Sequence, residues 1–334
     1  MDNSEQVPLE VLLEHTFKLA NKALALWPIP DDCNATLINV SENITYLVES
    51  AAGFKAVLRV HRENYHTKRA IECELAWIEA LGESRAVVTP SHYMGKNGEA
   101  IQIGKVEELN SQRYMVLFHF VEGKQPDETG DLKKPFEELG ELAAKTHLHS
   151  ISWPKPKNFE RLIWDFSSVF GQNPTWGNWR NGPDIKENQM KILEVAQRKI
   201  KSRLEDFGMG KGRFGLIHAD MRLANLLIDE NGTRLIDFDD CGMGWFLYDF
   251  AAAVSFFEDD PRIPDLKKSW VRGYRKVREL SQDDEFEIDT FIMLRRFALL
   301  AWIGSHIEAP EAQALAPGFA QITADLANIY LEKF

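Results

Sequence analysis

Residues 216–240 read LIHADMRLANLLIDENGTRLIDFDD, and the rest of the chain can be worked outward from them. An apolar lead-in brings His218, then Asp220 two residues on, then Asn225 five further. Two apolar runs follow, residues 223–228 and 234–238, joined by the polar stretch Asp229-Glu230-Asn231-Gly232. Asn-Gly between apolar runs signals a hairpin, because both residues accept the positive φ that a tight turn requires. If those four residues form the turn, Ile228 pairs with Thr233 and Asn225 falls opposite Ile236. Asn225 and Asp237 then stand side by side at the open end of the hairpin, with Asp220 just upstream. A carboxylate beside a carboxamide offers hard oxygen ligands of the kind Mg2+ takes, with room left for water and phosphate.

The 334 residues suffice for two lobes, each with its own core, and 44% hydrophobic with 27% charged residues is an ordinary globular composition. A formal net charge of −12 disfavours a nucleic-acid backbone as partner and gives no attraction to an anionic membrane. It leaves room for a small nucleotide, whose charge a few local cations and a metal can neutralise. Cys33, Cys73 and Cys241 are widely spaced with no CxxC pair, which argues against a disulfide framework or a zinc site and for the reducing cytoplasm. The polar start MDNSEQVPLE does not read as a secretory signal. The most apolar windows, such as residues 297–304, are too short to span a bilayer.

Upstream, residues 8–26 carry apolar side chains at helical spacing up to Trp27-Pro28. The period then changes: residues 36–40, 44–49 and 54–60 are short and rich in Ile, Val and Thr, and predict an antiparallel three-stranded meander. Arg59 is a cation set among apolar residues inside the third of these strands. A helix is expected over 67–81, and further strands over 87–90, 100–103 and 114–120. Residues 121–126 make the best linker, dividing a strand-rich lobe (1–120) from a helix-rich lobe (121–334). In the second lobe helices are expected over 136–150, 186–207, 248–257, 265–280, 285–307 and 318–331. Residues 153–183 form a long, irregular, aromatic stretch between them.

The motif His218-Ala219-Asp220-x4-Asn225 followed by Asp237-Phe238-Asp239 resembles the catalytic loop and metal-binding segment of the protein-kinase-like superfamily. Its small-molecule branch is the nearer match: aminoglycoside phosphotransferases, choline kinases, and the type II homoserine kinase and stress-response kinase group. HAD-x4-N stands for their HGD-x4-N, and IDFDD for their IDFxD. The segment WFLYDFAAAVSFFE resembles the family's stretch with a buried aspartate, here Asp249. The resemblance runs over nearly the whole chain and implies an α+β, two-lobed protein-kinase-like fold, with an antiparallel-sheet N-lobe holding one helix and a mainly helical C-lobe.

It also implies roles. Asp220 would orient or accept the proton of the attacking hydroxyl, with His218 and Arg222 beside it in the catalytic group. Asn225 and Asp237, with Asp239 as a further candidate, would hold Mg2+ against the phosphates of ATP. Asp249 would tie down the loop from below. Arg59 stands where the family has a phosphate-contacting lysine or arginine, and a guanidinium suits that contact through its two-donor fork. Glu74, or alternatively Glu72, would be its helix partner. Asn43 lies in the turn 41–43, which lacks the glycines of protein kinases and so must grip phosphate differently. Adenine would lie against backbone near His119 and Val121.

The activity so implied is phosphoryl transfer to a small-molecule hydroxyl, in a monomer or homodimer. The acids Asp239, Asp240, Glu258, Asp259 and Asp260 would suit a cationic amino alcohol resembling homoserine, choline or an aminoglycoside. Other readings are a Ser/Thr protein kinase, a metal-dependent phosphohydrolase built on His218, Asp220, Asp237 and Asp239, and a nucleotide-binding pseudokinase. Asp237 and Asp249 lie too close together for a peptide-docking activation segment, which favours a small acceptor. Packing is the expected role of the aromatic stretch, and His147 and His149 are expected to cap or pack their helix.

Overall fold

The computed structural model describes residues 8–40, 43–106, 111–127, 129–230 and 232–334, and the chain forms two compact units that interleave in sequence. The first gathers residues up to Glu79, Pro90–Glu122 and Pro156–Glu160; the second gathers Ala80–Thr89, Gly123–Lys155 and Arg161–Phe334.

The first unit is built on a five-stranded sheet of β1 (Asn34–Val40), β2 (Ile44–Glu49), β3 (Lys55–Val60), β4 (Gln102–Val106) and β5 (Ser111–His119). Its order is β1-β2-β3-β5-β4, and every neighbouring pair is antiparallel. Alternation sends Ile44, Tyr46 and Val48 of β2 inward. They meet Leu19, Ala20 and Ala23 of helix α1 (Leu9–Ala23) in one apolar cluster. Thr16 secures that helix, because its hydroxyl accepts the Tyr46 phenol at 3.1 Å and donates to Leu12 O at 2.8 Å. Helix α2 (Lys68–Glu83) begins in this unit. Residues 156–160 return to its first turns: Arg69 donates to the carbonyls of Lys157 and Asn158, and Thr67 Oγ1 donates to Glu160 Oε1 at 2.7 Å.

The second unit is mainly helical. It comprises α3 (Lys133–Ser152), α4 (Phe166–Phe170), α5 (Glu187–Phe207), α6 (Tyr248–Ala253), α7 (Ile263–Arg275), α8 (Gln282–Phe286), α9 (Ile288–Ser305), α10 (Pro310–Leu315) and α11 (Phe319–Lys333). A small sheet runs β6 (Leu162–Trp164), β10 (Gly242–Trp245), β7 (Phe214–Ile217), with β6 parallel and β7 antiparallel to β10. A separate hairpin pairs β8 (Leu226–Asp229) with β9 (Gly232–Leu235).

Helices α3 and α7 pack with backbone against backbone. A Cβ on Gly273 would sit 1.8 Å from Glu137 O, and one on Gly140 would sit 2.0 Å from Trp270 O, so glycine is required at both crossings. Helix α9 is buried on nearly every side and forms the axis of the unit.

Four sequence expectations change. Residues 87–90 form no strand; Val88 is 56% exposed, and its carbonyl takes one hydrogen bond, from Leu235 N at 3.2 Å. The stretch 153–183 is not wholly irregular, since β6 and α4 lie within it. The helix expected over 285–307 is two, α8 and α9, parted at Glu287, which takes Arg203 and Thr290 as partners. Helix α10 was not anticipated. The turn residues Ser41, Glu42 and Asn231 lie outside the described residues. Among those described, no helix is long and apolar enough to cross a membrane.

Candidate active site

In the second unit, the hairpin has the register that its turn residues dictate. Ile228 pairs with Thr233, Leu226 pairs with Leu235, and Ile236 N donates to Asn225 O at 3.0 Å. Asn225 and the residue before Asp237 are therefore linked across the open end. Asp237 is exposed and lies in the left-handed region at φ 61°, a conformation that Asp tolerates better than most residues. Asp239, two residues on, is buried. The carbonyls of Asp239 and Cys241 accept from Arg161, and that of Asp240 accepts from Trp164 Nε1 at 2.8 Å. This pins the segment that carries the three acids.

The loop from β7 to the hairpin is clamped from beneath. Asp249, fully buried on α6, accepts His218 N at 3.2 Å on Oδ2 and Ala219 N at 2.7 Å on Oδ1. Its Oδ2 also takes His147 Nε2 at 2.9 Å, and His147 Nδ1 lies 3.0 Å from the Tyr274 hydroxyl, which accepts from Arg278. Burial pushes the His147 pKa down despite Asp249, so the ring is neutral near pH 7. One tautomer fits: Nε2–H donates to Asp249, and Nδ1 accepts from Tyr274. His147 therefore supports the loop rather than capping its helix. His218 braces the loop from within, its Nε2 being 3.1 Å from Ile236 O and its Nδ1 3.3 Å from Asp220 N.

Asp220 lies at the centre. Its Oδ2 accepts Asn225 Nδ2 at 2.9 Å and Arg222 Nε at 3.3 Å, and its Oδ1 accepts Arg295 Nη2 at 2.9 Å. Burial alone would raise the Asp220 pKa, but Arg222, Arg295 and His218 overturn it and hold the group below the usual carboxylate range. The side chain is therefore an anion at neutral pH. Because Asn225 turns its amide nitrogen toward Asp220 (also donating to Asp220 O at 2.8 Å), its carbonyl oxygen is the atom left for a cation. A carboxamide oxygen with one exposed carboxylate suits Mg2+, which keeps several waters and binds through one or two carboxylates plus phosphate. Among the described residues, no cluster of three or more His, Cys, Asp or Glu side chains forms a full protein cage for a metal. Arg222 reaches outward, with Nη1 3.7 Å from Glu311 and its guanidinium over the Phe256 ring.

In the first unit, Arg59 and Glu74 form a buried pair, Nη2 to Oε1 2.6 Å, with the guanidinium 5.0 Å from the Phe118 ring centre. Glu72 instead faces Arg69 at 3.0 Å and Lys68, toward solvent. The His119 ring stacks on Tyr93 at 3.7 Å, and the His119 backbone N–H donates to Ser91 O, so that donor is not available to a ligand. Val121 keeps both its backbone N–H and C=O without a protein partner among the described residues. Asn43 is buried, and its Oδ1 accepts Arg62 N at 3.1 Å, closing the end of the β2–β3 pair.

The sequence reading missed Arg295 and Tyr274, and did not tie His147 to the loop. Arg295-Arg296 was a usable signal, since two guanidinium groups inside the apolar run IMLRRFALLAWIG must find buried partners. Of the acids proposed for the acceptor pocket, Glu258 is spent on Arg296 and Asp260 on Arg262. Both leave that argument.

A five-stranded antiparallel sheet with helices α1 and α2, followed by a helical unit carrying a clamped His-x-Asp-x4-Asn loop and its hairpin, defines a protein-kinase-like phosphotransferase fold. The chain belongs to the phosphotransferase enzyme family, whose model matches residues 35–280. Proteins similar to it include kinases of small molecules. The structure of a microcompartment-associated aminopropanol kinase is 40% identical, with a TM-score of 0.87 over 94% of this chain and 97% of that one. The amicoumacin kinase hAmiN, solved with AMP-PNP and Ca2+, shares the fold at 18% identity and a TM-score of 0.76, covering 95% of each chain. Amicoumacin kinase of Bacillus subtilis (strain 168) is 24% identical over 241 residues, which make up 68% of this chain and 67% of that protein.

Proposed function

We propose that the protein transfers the γ-phosphoryl group of ATP, with Mg2+, to the hydroxyl of a small amino alcohol, and that an aminopropanol is its acceptor. The observation that carries this reading is Asp220, an anion held by Asn225 on one oxygen and Arg295 on the other. Phosphoryl transfer needs little covalent help from the protein and depends on positioning and charge neutralisation. Asp220 accepts a hydrogen bond from the acceptor hydroxyl, aims its lone pair, and takes its proton as the bond to phosphorus forms. Arg59, oriented by Glu74, contacts a phosphate oxygen. Val121 supplies the backbone donor and acceptor for adenine. Asn225 and Asp237 would hold Mg2+, which when bound neutralises phosphate charge; Asp239 is a further candidate.

The acceptor class rests on the aminopropanol kinase, similar over nearly its whole length. A small acceptor also fits the chain between Asp237 and Asp249, which is occupied by β10 and the start of α6 and leaves no segment to dock a peptide. The test is a panel of aminopropanol, ethanolamine, choline and homoserine with ATP and Mg2+. It follows ADP release and identifies the phosphorylated product by 31P NMR. One amino alcohol should stimulate ADP release, and Asp220→Asn should lower that rate by roughly a thousandfold or more. Wild-type turnover by Asp220→Asn would overturn the assigned role, and indifference to every amino alcohol would overturn the acceptor class.

A further inference from the structure

Arg295 projects from the middle of α9 and is 2% exposed, yet its guanidinium is directed at the catalytic loop. Three nitrogens reach three different oxygens: Nη2 to Asp220 Oδ1 at 2.9 Å, Nη1 to Ala219 O at 3.2 Å, and Nε to Ser255 Oγ at 3.1 Å. The rings of Trp176 and Tyr248 flank the cation at 5.0 and 5.6 Å. Neutralising one carboxylate would require a single contact. Here the fork also grips the peptide just before that carboxylate.

That peptide is strained. Ala219 has φ 65°, a left-handed conformation in which a Cβ crowds the following carbonyl. Such a conformation persists only where its surroundings over-determine it. Ala219 N–H is held by Asp249 of α6 at 2.7 Å, and Ala219 C=O is held by Arg295 of α9. Two helices thus grip the two polar groups of one strained residue, and the next residue is Asp220.

We infer that Arg295 is a positioning residue for phosphoryl transfer: it locks Ala219 in the left-handed conformation and fixes the rotation of the Asp220 carboxylate. It touches no substrate, because its donors face the protein. The inference rests on the reading of Asp220 as the group that receives the acceptor proton. It also gives the aromatic stretch a task, since Trp176 walls the guanidinium.

The test is a double-mutant cycle between Arg295→Lys and Ala219→Gly, read by steady-state kinetics with thermal melting as the check on folding. Lysine keeps the charge but cannot reach three oxygens in three directions. Arg295→Lys should lower kcat by about 10- to 100-fold while the KM values for ATP and acceptor move less than about threefold. Glycine adopts the left-handed conformation without a clamp. In the Ala219→Gly background, the loss caused by Arg295→Lys should therefore shrink by roughly tenfold. A merely structural arginine would show no such rescue. Three results would overturn the inference: wild-type kcat in folded Arg295→Lys, a loss carried by KM, or a kcat loss of the same size with glycine at 219. If Arg295→Lys does not fold, Ser255→Ala, which loosens only the Nε support, is put through the same cycle and judged by the same three criteria. Asp220→Asn run alongside separates the two claims. If it turns over normally, the role of Asp220 fails; if it is dead while Arg295→Lys is not impaired, only the positioning role of Arg295 fails.

Discussion

Asp249→Asn is isosteric, so it tests the clamp under the His218–Asp220 loop without opening a cavity. The native carboxylate accepts three hydrogen bonds, from His218 N and His147 Nε2 on Oδ2 and from Ala219 N on Oδ1. An asparagine has only one acceptor oxygen. If that oxygen faces His147 and His218, the amide NH2 is turned toward Ala219 N–H, donor against donor, at the most strained residue of the loop. A buried N–H left unsatisfied costs about 1–3 kcal/mol, and the lost charge assistance adds about 1 kcal/mol, for a total of about 2–4 kcal/mol. For a cooperative unit of this size the melting temperature should fall by roughly 5–15 °C. Turnover should fall by about 10- to 100-fold, because the peptide that aims Asp220 loses one of its two grips. Thermal melts and kcat on the purified variant measure both. A melting temperature within about 1 °C of wild type together with kcat within about twofold would refute the clamp.

Other expectations can be checked with the same assays. Gly273→Ala puts a methyl 1.8 Å from Glu137 O, so α3 and α7 must separate; overpacking of about 1–3 kcal/mol outweighs the gain of about 1 kcal/mol in helix propensity, and the melting temperature should fall. Glu74→Gln removes the charge that orients Arg59 and should raise the KM for ATP about tenfold, with a smaller effect on the acceptor KM. Asp289 bridges Lys267 and Lys333, each at 2.7 Å; burial alone would raise its pKa, yet the two lysines hold it below the ordinary aspartate value. Its stabilisation is thus present above the unfolded-state pKa of about 3.9 and lost as pH falls through the lower folded value, so Asp289→Asn should lower the melting temperature at neutral pH and converge on wild type as the pH falls below that folded value.

The hairpin was legible because its determinants are local: a turn fixes the register, and the register fixes which residue stands opposite Asn225. The meander was legible for the same reason, through alternation along each strand. The partner of Arg59 was half legible. Helical spacing separates Glu72 from Glu74 by about half a turn but cannot say which side faces the sheet. Arg295 was not legible as a site residue, since it lies 75 residues from Asp220 in sequence and only tertiary packing brings them together. The same holds for β6, three residues long and paired with β10 some 80 positions later, which no local period announces. Residues 87–90 misled because apolar side chains before a proline resemble an edge strand, whereas the chain there forms no ladder.

The return of residues 156–160 to the start of α2 bears on how the protein is made. The sheet and α1 precede that segment along the chain, but Thr67, Arg69 and Cys73 take further partners from Lys157, Asn158 and Glu160. The first unit therefore cannot be completed until residue 160 has been synthesised, by which time α3 of the second unit has already been translated. Neither unit corresponds to a continuous piece of the gene. A cut at 122/123 would strip the first of a strap that it needs and leave the second holding residues that belong elsewhere.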